Sequence, residues 1–236
     1  MLQFLIRKYF ASCTHDAEPF AQAGPQRLGP AAQPVVFSGS VPFRLSLTTT
    51  VSVPALIIID MQKGMANQRA GERNNPGAEE AIARTLAEWR RVGAPVVHVR
   101  HISRTPGSLF WPGQPGAEFQ DDLRPLENEH IVEKNVPDAF IHTGLERWLH
   151  VRGIRTVAIL GVSTNNSVEA TARSSGNLGF KTLVASDGTF AFAKVDFNGI
   201  QRTAEEVHAM ALSNLHGEYA TVVTTKELRG AVQQFA

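Results

Sequence analysis

The sequence of 236 residues contains a single cysteine, Cys13. One thiol cannot form a disulfide framework, nor can it supply the paired cysteines of a structural zinc site. Long apolar runs are missing as well, since no stretch approaches the roughly 20 residues that a membrane-spanning helix needs. We therefore expect a cytoplasmic protein without disulfides and without a membrane partner.

An excess of one charge is also missing. Lysine and arginine number 23 and aspartate and glutamate 22, so the formal net charge is +1. Nucleic-acid-binding surfaces usually carry clustered lysines and arginines that neutralise phosphates, so we expect no nucleic acid partner. The sequence also has neither a GxGxxG motif nor a P-loop, the usual signatures of dinucleotide and nucleotide binding. We predict that the protein uses no cofactor.

Prolines are unevenly distributed along the chain. Five of the 13 lie before residue 53, in a stretch with no sustained period of two or of 3.6 residues. We interpret residues 1–52 as a poorly ordered N-terminal extension and residues 53–236 as the folded domain. The start of the chain is apolar and basic, with no acidic residue before Asp16. A weaker alternative is therefore that residues 1–30 direct the protein to an organelle.

From residue 54 onward, short apolar runs alternate with amphipathic segments. Strands are predicted at residues 54–60, 95–100, 131–134, 155–161, 181–187 and 219–225. Helices are predicted at residues 78–92, 143–153, 165–176, 203–217 and 226–235. Capping boxes of the form T-x-x-E begin two of these helices, at Thr143 and Thr203. The alternation predicts a three-layer α/β/α domain with a central, mostly parallel, Rossmann-like sheet.

Polar residues at the predicted strand ends mark the expected site, because parallel sheets bind ligands at the carboxyl ends of their strands. Asp60 and Lys134 each end a strand, and a buried carboxylate is costly unless it is paired or used. After Gly161, a tight turn places Ser167 in a first helical turn, where free backbone N–H groups can hold an oxyanion. An ordinary ion pair and an ordinary helix cap would account for the same residues.

Three segments resemble a known family when they are taken in order. DMQKGM after the first strand, EKNVPDAF, and GVSTNNSVEATAR together are similar to the isochorismatase-like hydrolases, also called the cysteine hydrolase superfamily. The resemblance covers roughly residues 54–225. It implies hydrolysis of a small molecule by a catalytic set of Asp60, Lys134 and a nucleophile, and Ser167 occupies the position of the family's nucleophilic cysteine.

The resemblance also implies details of the turn that carries the nucleophile. The peptide bond between Val162 and Ser163 is expected to be cis, and the backbone N–H groups of Ser163 and Ser167 are expected to form the oxyanion hole. Loops of this fold form the pocket walls, so Trp111, Phe140 and Asn165 are candidate substrate contacts. Members of the family usually form dimers or larger homo-oligomers, and we expect the same here.

The serine at the cysteine position leaves three interpretations open. A cysteine suits the family reaction because its pKa of about 8.5 falls readily near a cation. A hydroxyl gains less, and a carboxylate is a poorer base for it than the histidine of a serine hydrolase. In the first interpretation, Ser167 is nevertheless a nucleophile that cleaves a C–N bond. Alternatively, no covalent step occurs, and Asp60 acts as general acid on a vinyl ether, as in isochorismatases.

In the third interpretation the chain is a catalytically impaired binder of small molecules, or a variant in which the cysteine was replaced. The substitution Ser167→Cys separates the third interpretation from the other two. Amidase activity unmasked by the thiol would support the third interpretation, and equal or lower activity would support the first or the second.

Histidines are the remaining candidates for a metal site. Nicotinamidases of the family bind a metal through an Asp-x-His pattern, and that pattern is missing around His98 and His101. We predict no metal and interpret the pair as lining a pocket or the sheet edge. His208 and His216 fall in a predicted helix, and we interpret them as packing or surface residues.

Overall fold

The computed structural model describes residues 53–66 and 71–236. The predicted extension at residues 1–52, with its alternative targeting segment, lies outside the described residues, and its assignment stays a prediction. Within the described part of the chain, no helix combines the length and the apolar character that crossing a membrane requires.

Six parallel strands form the central sheet. They are β1 (Ala55–Ile59), β2 (Val96–His101), β3 (His130–Lys134), β4 (Thr156–Val162), β5 (Lys181–Phe190) and β8 (Thr221–Val223). Their order across the sheet is β3-β2-β1-β4-β5-β8. Strands β6 (Lys194–Val195) and β7 (Gln201–Arg202) form a separate antiparallel hairpin that the sequence did not predict. The predicted parallel sheet is confirmed.

In residues 53–66 and 71–236, five α-helices accompany the strands. They are α1 (Ala78–Arg91), α2 (Leu145–Val151), α3 (Glu169–Asn177), α4 (Ala204–Leu215) and α5 (Thr225–Gln233). A π-helical turn, Thr164–Val168, links β4 to α3. Between β2 and β3 the chain contains only two short 3₁₀ turns, Pro115–Ala117 and Asp121–Leu123.

Alternating side chains of the sheet belong to two hydrophobic clusters. On one face, Ile57 and Ile59 of β1 pack with residues of α2, α3 and α4. On the other face, Leu56 and Ile58 pack with residues of α1 and α5, including the fully buried Trp89. Strands covered on both faces read as continuous apolar runs, which is why the pattern of the sequence revealed them. The predicted three-layer α/β/α architecture is confirmed.

One of the two predicted capping boxes is wrong. The Thr203 box is present at the start of α4. Helix α2, however, begins at Leu145 after an N-cap at Gly144 that makes no side-chain hydrogen bond. The Thr143 hydroxyl instead donates to the backbone carbonyl of Ala139, at 2.6 Å. Because a hydroxyl can bond to several nearby backbone groups, a T-x-x-E spacing alone does not determine which one it chooses.

A buried carboxylate, Glu129, ties helix α1 to strand β2. Its two oxygens accept from the Arg90 guanidinium at 2.7 and 2.8 Å, and one of them also lies 2.9 Å from Nε2 of His98. The backbone N–H of Leu126 donates to the same oxygen. Burial raises the pKa of Glu129, but the Arg90, Leu126 and His98 hydrogen bonds outweigh it and lower the pKa from 4.5 to about 2.

This network predicts a pH-dependent contribution to stability. A carboxyl group whose pKa is lowered by folding stabilises the native state above its ordinary pKa, here 4.5, and loses that contribution as the pH falls toward 2. We expect Glu129→Gln to lower the free energy of unfolding by about 1 to 3 kcal/mol at pH 7. The deficit should shrink between pH 4.5 and 2.

Urea unfolding at a series of pH values measures this difference. The exposed ion pair of Glu133 with Arg100 provides a control, because Glu133→Gln should cost less than about 1 kcal/mol. A deficit of Glu129→Gln that stays constant from pH 7 to pH 2 would show that the charge of Glu129 is not its source.

Candidate active site

Two strand ends and one turn meet at the carboxyl end of the sheet. Asp60 directly follows β1, Lys134 is the last residue of β3, and Ser167 lies in the π-helical turn after β4. In the sheet, β2 lies between β1 and β3, so the Lys134 side chain passes the end of β2 to reach Asp60. The topology therefore assembles at one point residues that lie more than 30 positions apart in sequence.

The Lys134 ammonium contacts both of the other side chains. It donates to Oδ2 of Asp60 at 2.7 Å and to Oγ of Ser167 at 3.2 Å. Asp60 is 1% exposed, Lys134 is 3% exposed and Ser167 is 6% exposed. The structure thus brings together the three side chains that the sequence singled out, in a setting where charges interact more strongly than in water.

The backbone of Asp60 is in the left-handed region, with φ of +53°. Aspartate tolerates this conformation better than most residues. Its N–H donates to the Val99 carbonyl at 2.9 Å, and its own carbonyl accepts from the N–H of Gln62 at 2.7 Å. While Lys134 holds Oδ2, the buried Oδ1 has no hydrogen-bond partner among the described residues. One carboxylate oxygen is therefore fixed, and the other can receive a proton from a group beside it.

Burial raises the pKa of the Asp60 carboxyl. The positive charge of Lys134, its hydrogen bond to Asp60 and the nearby Ser167 hydroxyl oppose this effect. A carboxyl group with a raised pKa holds a transferred proton better than an ordinary aspartate at neutral pH, and a proton-transfer residue needs this property.

The turn that carries Ser167 starts at a cis peptide bond between Val162 and Ser163, the bond at which the resemblance implied one. The Ser163 carbonyl accepts from the backbone N–H groups of Asn166 and Val168, at 3.1 and 3.2 Å. The bond from Val168 spans five residues and widens the turn into a π-helical one. The role of the Ser163 and Ser167 N–H groups as an oxyanion hole stays a prediction.

Glycine is required directly before this turn. Gly161 has φ of +119°, and a Cβ atom there would lie 2.1 Å from the carbonyl oxygen of Ile59. No other residue allows β4 to approach β1 so closely at this point. Gly161 therefore sets the distance between the segment that carries Asp60 and the segment that carries Ser167.

The predicted substrate contacts lie in different environments. Phe140 is buried in the hydrophobic core and stacks on Phe180, with ring centroids 5.9 Å apart. Trp111 is half-buried in the loop after β2. Asn165 is half-buried and lines a groove of about 900 Å³ between hairpin β6–β7 and helix α4. Their roles in substrate binding stay predictions.

Two further residues lie beside the catalytic set: Gln62, for which the sequence predicted no role, and His101, which was expected to line a pocket or the sheet edge. The side chain of Gln62 is fully buried; its Oε1 accepts from the N–H of His101 at 2.8 Å and its Nε2 donates to the His101 carbonyl at 2.9 Å. His101 pairs in register with Lys134, and burial and then the charge of Lys134 lower the pKa of its imidazole. Gln62 is the third letter of DMQKGM, so the motif contained this residue without indicating its contacts.

His98 is engaged elsewhere, in the network of Glu129. In the described ranges 53–66 and 71–236, no group of three or more His, Cys, Asp or Glu side chains is placed to hold a metal ion.

Comparison with known proteins identifies the family. A model of the isochorismatase domain matches residues 54–227. The chain therefore belongs to the isochorismatase family, and the α/β fold and the three motifs agree with this assignment.

Two similar proteins illustrate the extent of the match. The isochorismatase-family protein YrdC of Bacillus subtilis is 42% identical over 174 residues, which cover 74% of this chain and 93% of YrdC. A crystal structure of an isochorismatase-family protein from Chromobacterium violaceum is 45% identical and superimposes with a TM-score of 0.75. That match covers 77% of this chain and 94% of the other.

A relative with a named activity is the maleamate amidohydrolase of Pseudomonas putida. It is 28% identical over 198 residues, covering 77% of this chain and 86% of the relative. The chain is thus a member of a family of hydrolases that includes amidohydrolases.

Proposed function

We propose that the protein hydrolyses a C–N bond, in an amide or a carbamoyl group, of a small molecule without a metal ion. The observation that carries the proposal is the Lys134 ammonium, which lies 2.7 Å from the Asp60 carboxylate and 3.2 Å from the Ser167 hydroxyl. Such an arrangement connects a nucleophile, a proton acceptor and a cation that orients both.

In the first half of the reaction, Oγ of Ser167 attacks the carbonyl carbon of the substrate. The hydroxyl proton passes to Oδ1 of Asp60, the oxygen that Lys134 leaves free. The carbonyl oxygen becomes an oxyanion, which the backbone N–H groups of Ser163 and Ser167 stabilise. As the C–N bond breaks, Asp60 returns the proton to the departing nitrogen, and ammonia or an amine leaves.

In the second half, water hydrolyses the ester between the acyl group and Ser167. Asp60 takes a proton from the water as its oxygen attacks the acyl carbon, and gives it to Oγ of Ser167 as the ester bond breaks. Free carboxylic acid, or carbamic acid from a carbamoyl group, leaves and the starting serine is restored. One water molecule is consumed for each C–N bond that breaks.

Lys134 explains how a serine can act in this position. A carboxylate is a weaker base than the imidazole of a serine hydrolase, so Asp60 alone activates a hydroxyl poorly. An ammonium that donates a hydrogen bond to Oγ stabilises the negative charge that develops there, and it does so most strongly in a buried site. Ser167 is 6% exposed, so bulk water screens this interaction little.

Release of ammonia from a panel of small amides tests the proposal. The panel contains maleamate, nicotinamide and N-carbamoyl amino acids, and the Ser167→Ala protein serves as the blank. We expect ammonia from at least one compound with the unaltered protein and none above background with the blank. Hydrolysis of a vinyl ether such as isochorismate, without ammonia from any amide, would favour Asp60 as a general acid and contradict the proposal.

A further inference from the structure

A buried histidine contacts the turn that carries the nucleophile. His208 of helix α4 is 4% exposed, and its Nδ1 lies 2.8 Å from the hydroxyl of the fully buried Thr164. The sequence suggested only a packing or surface role for His208. A buried polar contact between two side chains that are 44 residues apart instead fixes α4 to the first residue of the π-helical turn.

The ring of His208 also lies near the backbone carbonyl of Ser186, in β5. A carbonyl oxygen can only accept, so we assign the ring N–H to the nitrogen on that side, and Nδ1 then accepts from the Thr164 hydroxyl. Burial lowers the pKa of His208, against the charge of Glu205 and the Ser186 carbonyl, and this shift favours the neutral ring.

Thr164 stands between the cis peptide bond and the nucleophile. It directly follows Ser163, whose carbonyl closes the turn, and Ser167 lies three residues further on. The Thr164 side chain is therefore an anchor for a turn whose backbone N–H groups and Oγ must face the same substrate atom. Displacement of a reacting group by about 1 Å can cost about a hundredfold in rate.

We propose that His208 is a positioning residue, which acts through Thr164 to hold the nucleophile turn so that Ser167 remains within reach of Lys134 and Asp60. In its effect on turnover, this inference rests on the proposed hydrolytic function. A reactivity measurement that needs no turnover accompanies the kinetic test below.

The kinetic test compares variants at both ends of the bond. We expect His208→Phe and Thr164→Val each to lower kcat by about ten- to a hundredfold, with KM changed less than threefold. The double variant should be no slower than the slower single variant, because both changes remove one interaction. His208→Asn should restore most of the activity, since its amide oxygen can replace Nδ1 as acceptor.

A matched control removes a buried hydroxyl elsewhere. Thr85 of α1 is fully buried and donates to the Ala81 carbonyl at 2.8 Å, on the opposite face of the sheet from α4. Thr85→Val should lower the unfolding temperature to a similar extent as Thr164→Val and leave kcat unchanged. A fall in kcat with Thr85→Val equal to that of Thr164→Val would assign the effect to lost stability and overturn the proposal.

The rate at which a thiol at position 167 is alkylated measures the geometry of the nucleophile turn without any catalytic reaction. In the Ser167→Cys background, iodoacetamide labelling is followed by peptide mass analysis, and the native Cys13 serves as the internal reference. We expect His208→Phe and Thr164→Val to lower the labelling rate at residue 167 severalfold, and Thr85→Val to leave it unchanged.

The two measurements separate the two proposals. Changed labelling without any amide turnover would support His208 as a positioning residue and count against the hydrolytic function. Labelling rates and kcat that stay within twofold in His208→Phe and in Thr164→Val would overturn the role of His208.

Discussion

Replacement of Asp60 by asparagine is expected to lower kcat/KM toward the amide substrate by about a thousandfold or more. Asparagine keeps the size of the side chain and an oxygen for Lys134, but it cannot accept a proton from Ser167 or return one to the leaving nitrogen. Asp60 is the single carboxyl in contact with Lys134 among the described residues, so no neighbouring group can replace it there. Steady-state kinetics on the substrate identified by ammonia release measures the loss.

Asp187 offers a matched control for this substitution. Its carboxylate accepts from the N–H and the hydroxyl of Thr225, both at 2.7 Å, at the start of helix α5. Asp187→Asn removes a charge from an exposed aspartate that takes no part in the proposed reaction, and we expect less than about a tenfold change. Retention of more than a tenth of the activity by Asp60→Asn would show that Asp60 does not transfer the proton.

Substitutions of Ser167 are expected to have the second large effect. Ser167→Ala removes the nucleophile and should lower kcat by about a thousandfold or more, as the loss of a covalent route does in other hydrolases. Ser167→Cys should give activity equal to or below that of the serine protein. Lys134 lies 3.2 Å from Oγ, so the site already supplies the cation that a hydroxyl needs.

The two variants together distinguish the remaining interpretations. A large gain in amidase activity with Ser167→Cys would identify a site that is impaired by its serine. Unchanged activity of Ser167→Ala would show that no covalent step occurs, as in the vinyl ether mechanism with Asp60 as general acid.

Much of the fold could be predicted because its signals are local. Strands buried on both faces give apolar runs such as residues 55–59, and glycines end several helices. Hairpin β6–β7 gave no such signal, since each of its strands has two residues and three of these four residues are exposed. The helix predicted to start at residue 165 begins at Glu169, after the π-helical turn. The sequence did not reveal this turn, because only its hydrogen bonds distinguish it from the first turn of an α-helix.

The catalytic side chains of the candidate site could be predicted, but the hydrogen bonds around them could not. Asp60 and Lys134 followed from strand ends, and Ser167 followed from its motif. The side chains beside them, Gln62 and His208, bond to groups 39 and 44 residues away. Such partners depend on how strands and helices are arranged in space, and neither periodicity nor a motif encodes that arrangement.

Detection of an acyl group on Ser167 tests the central claim most directly. The protein is mixed with the amide substrate, quenched in acid at a series of short times and analysed by intact mass and peptide mass. The proposed mechanism predicts an added acyl mass on the peptide that contains Ser167, which disappears as the substrate is exhausted and never forms in Ser167→Ala. Turnover at an undiminished rate by Ser167→Ala, with no adduct on the unaltered protein at any quench time, would contradict it.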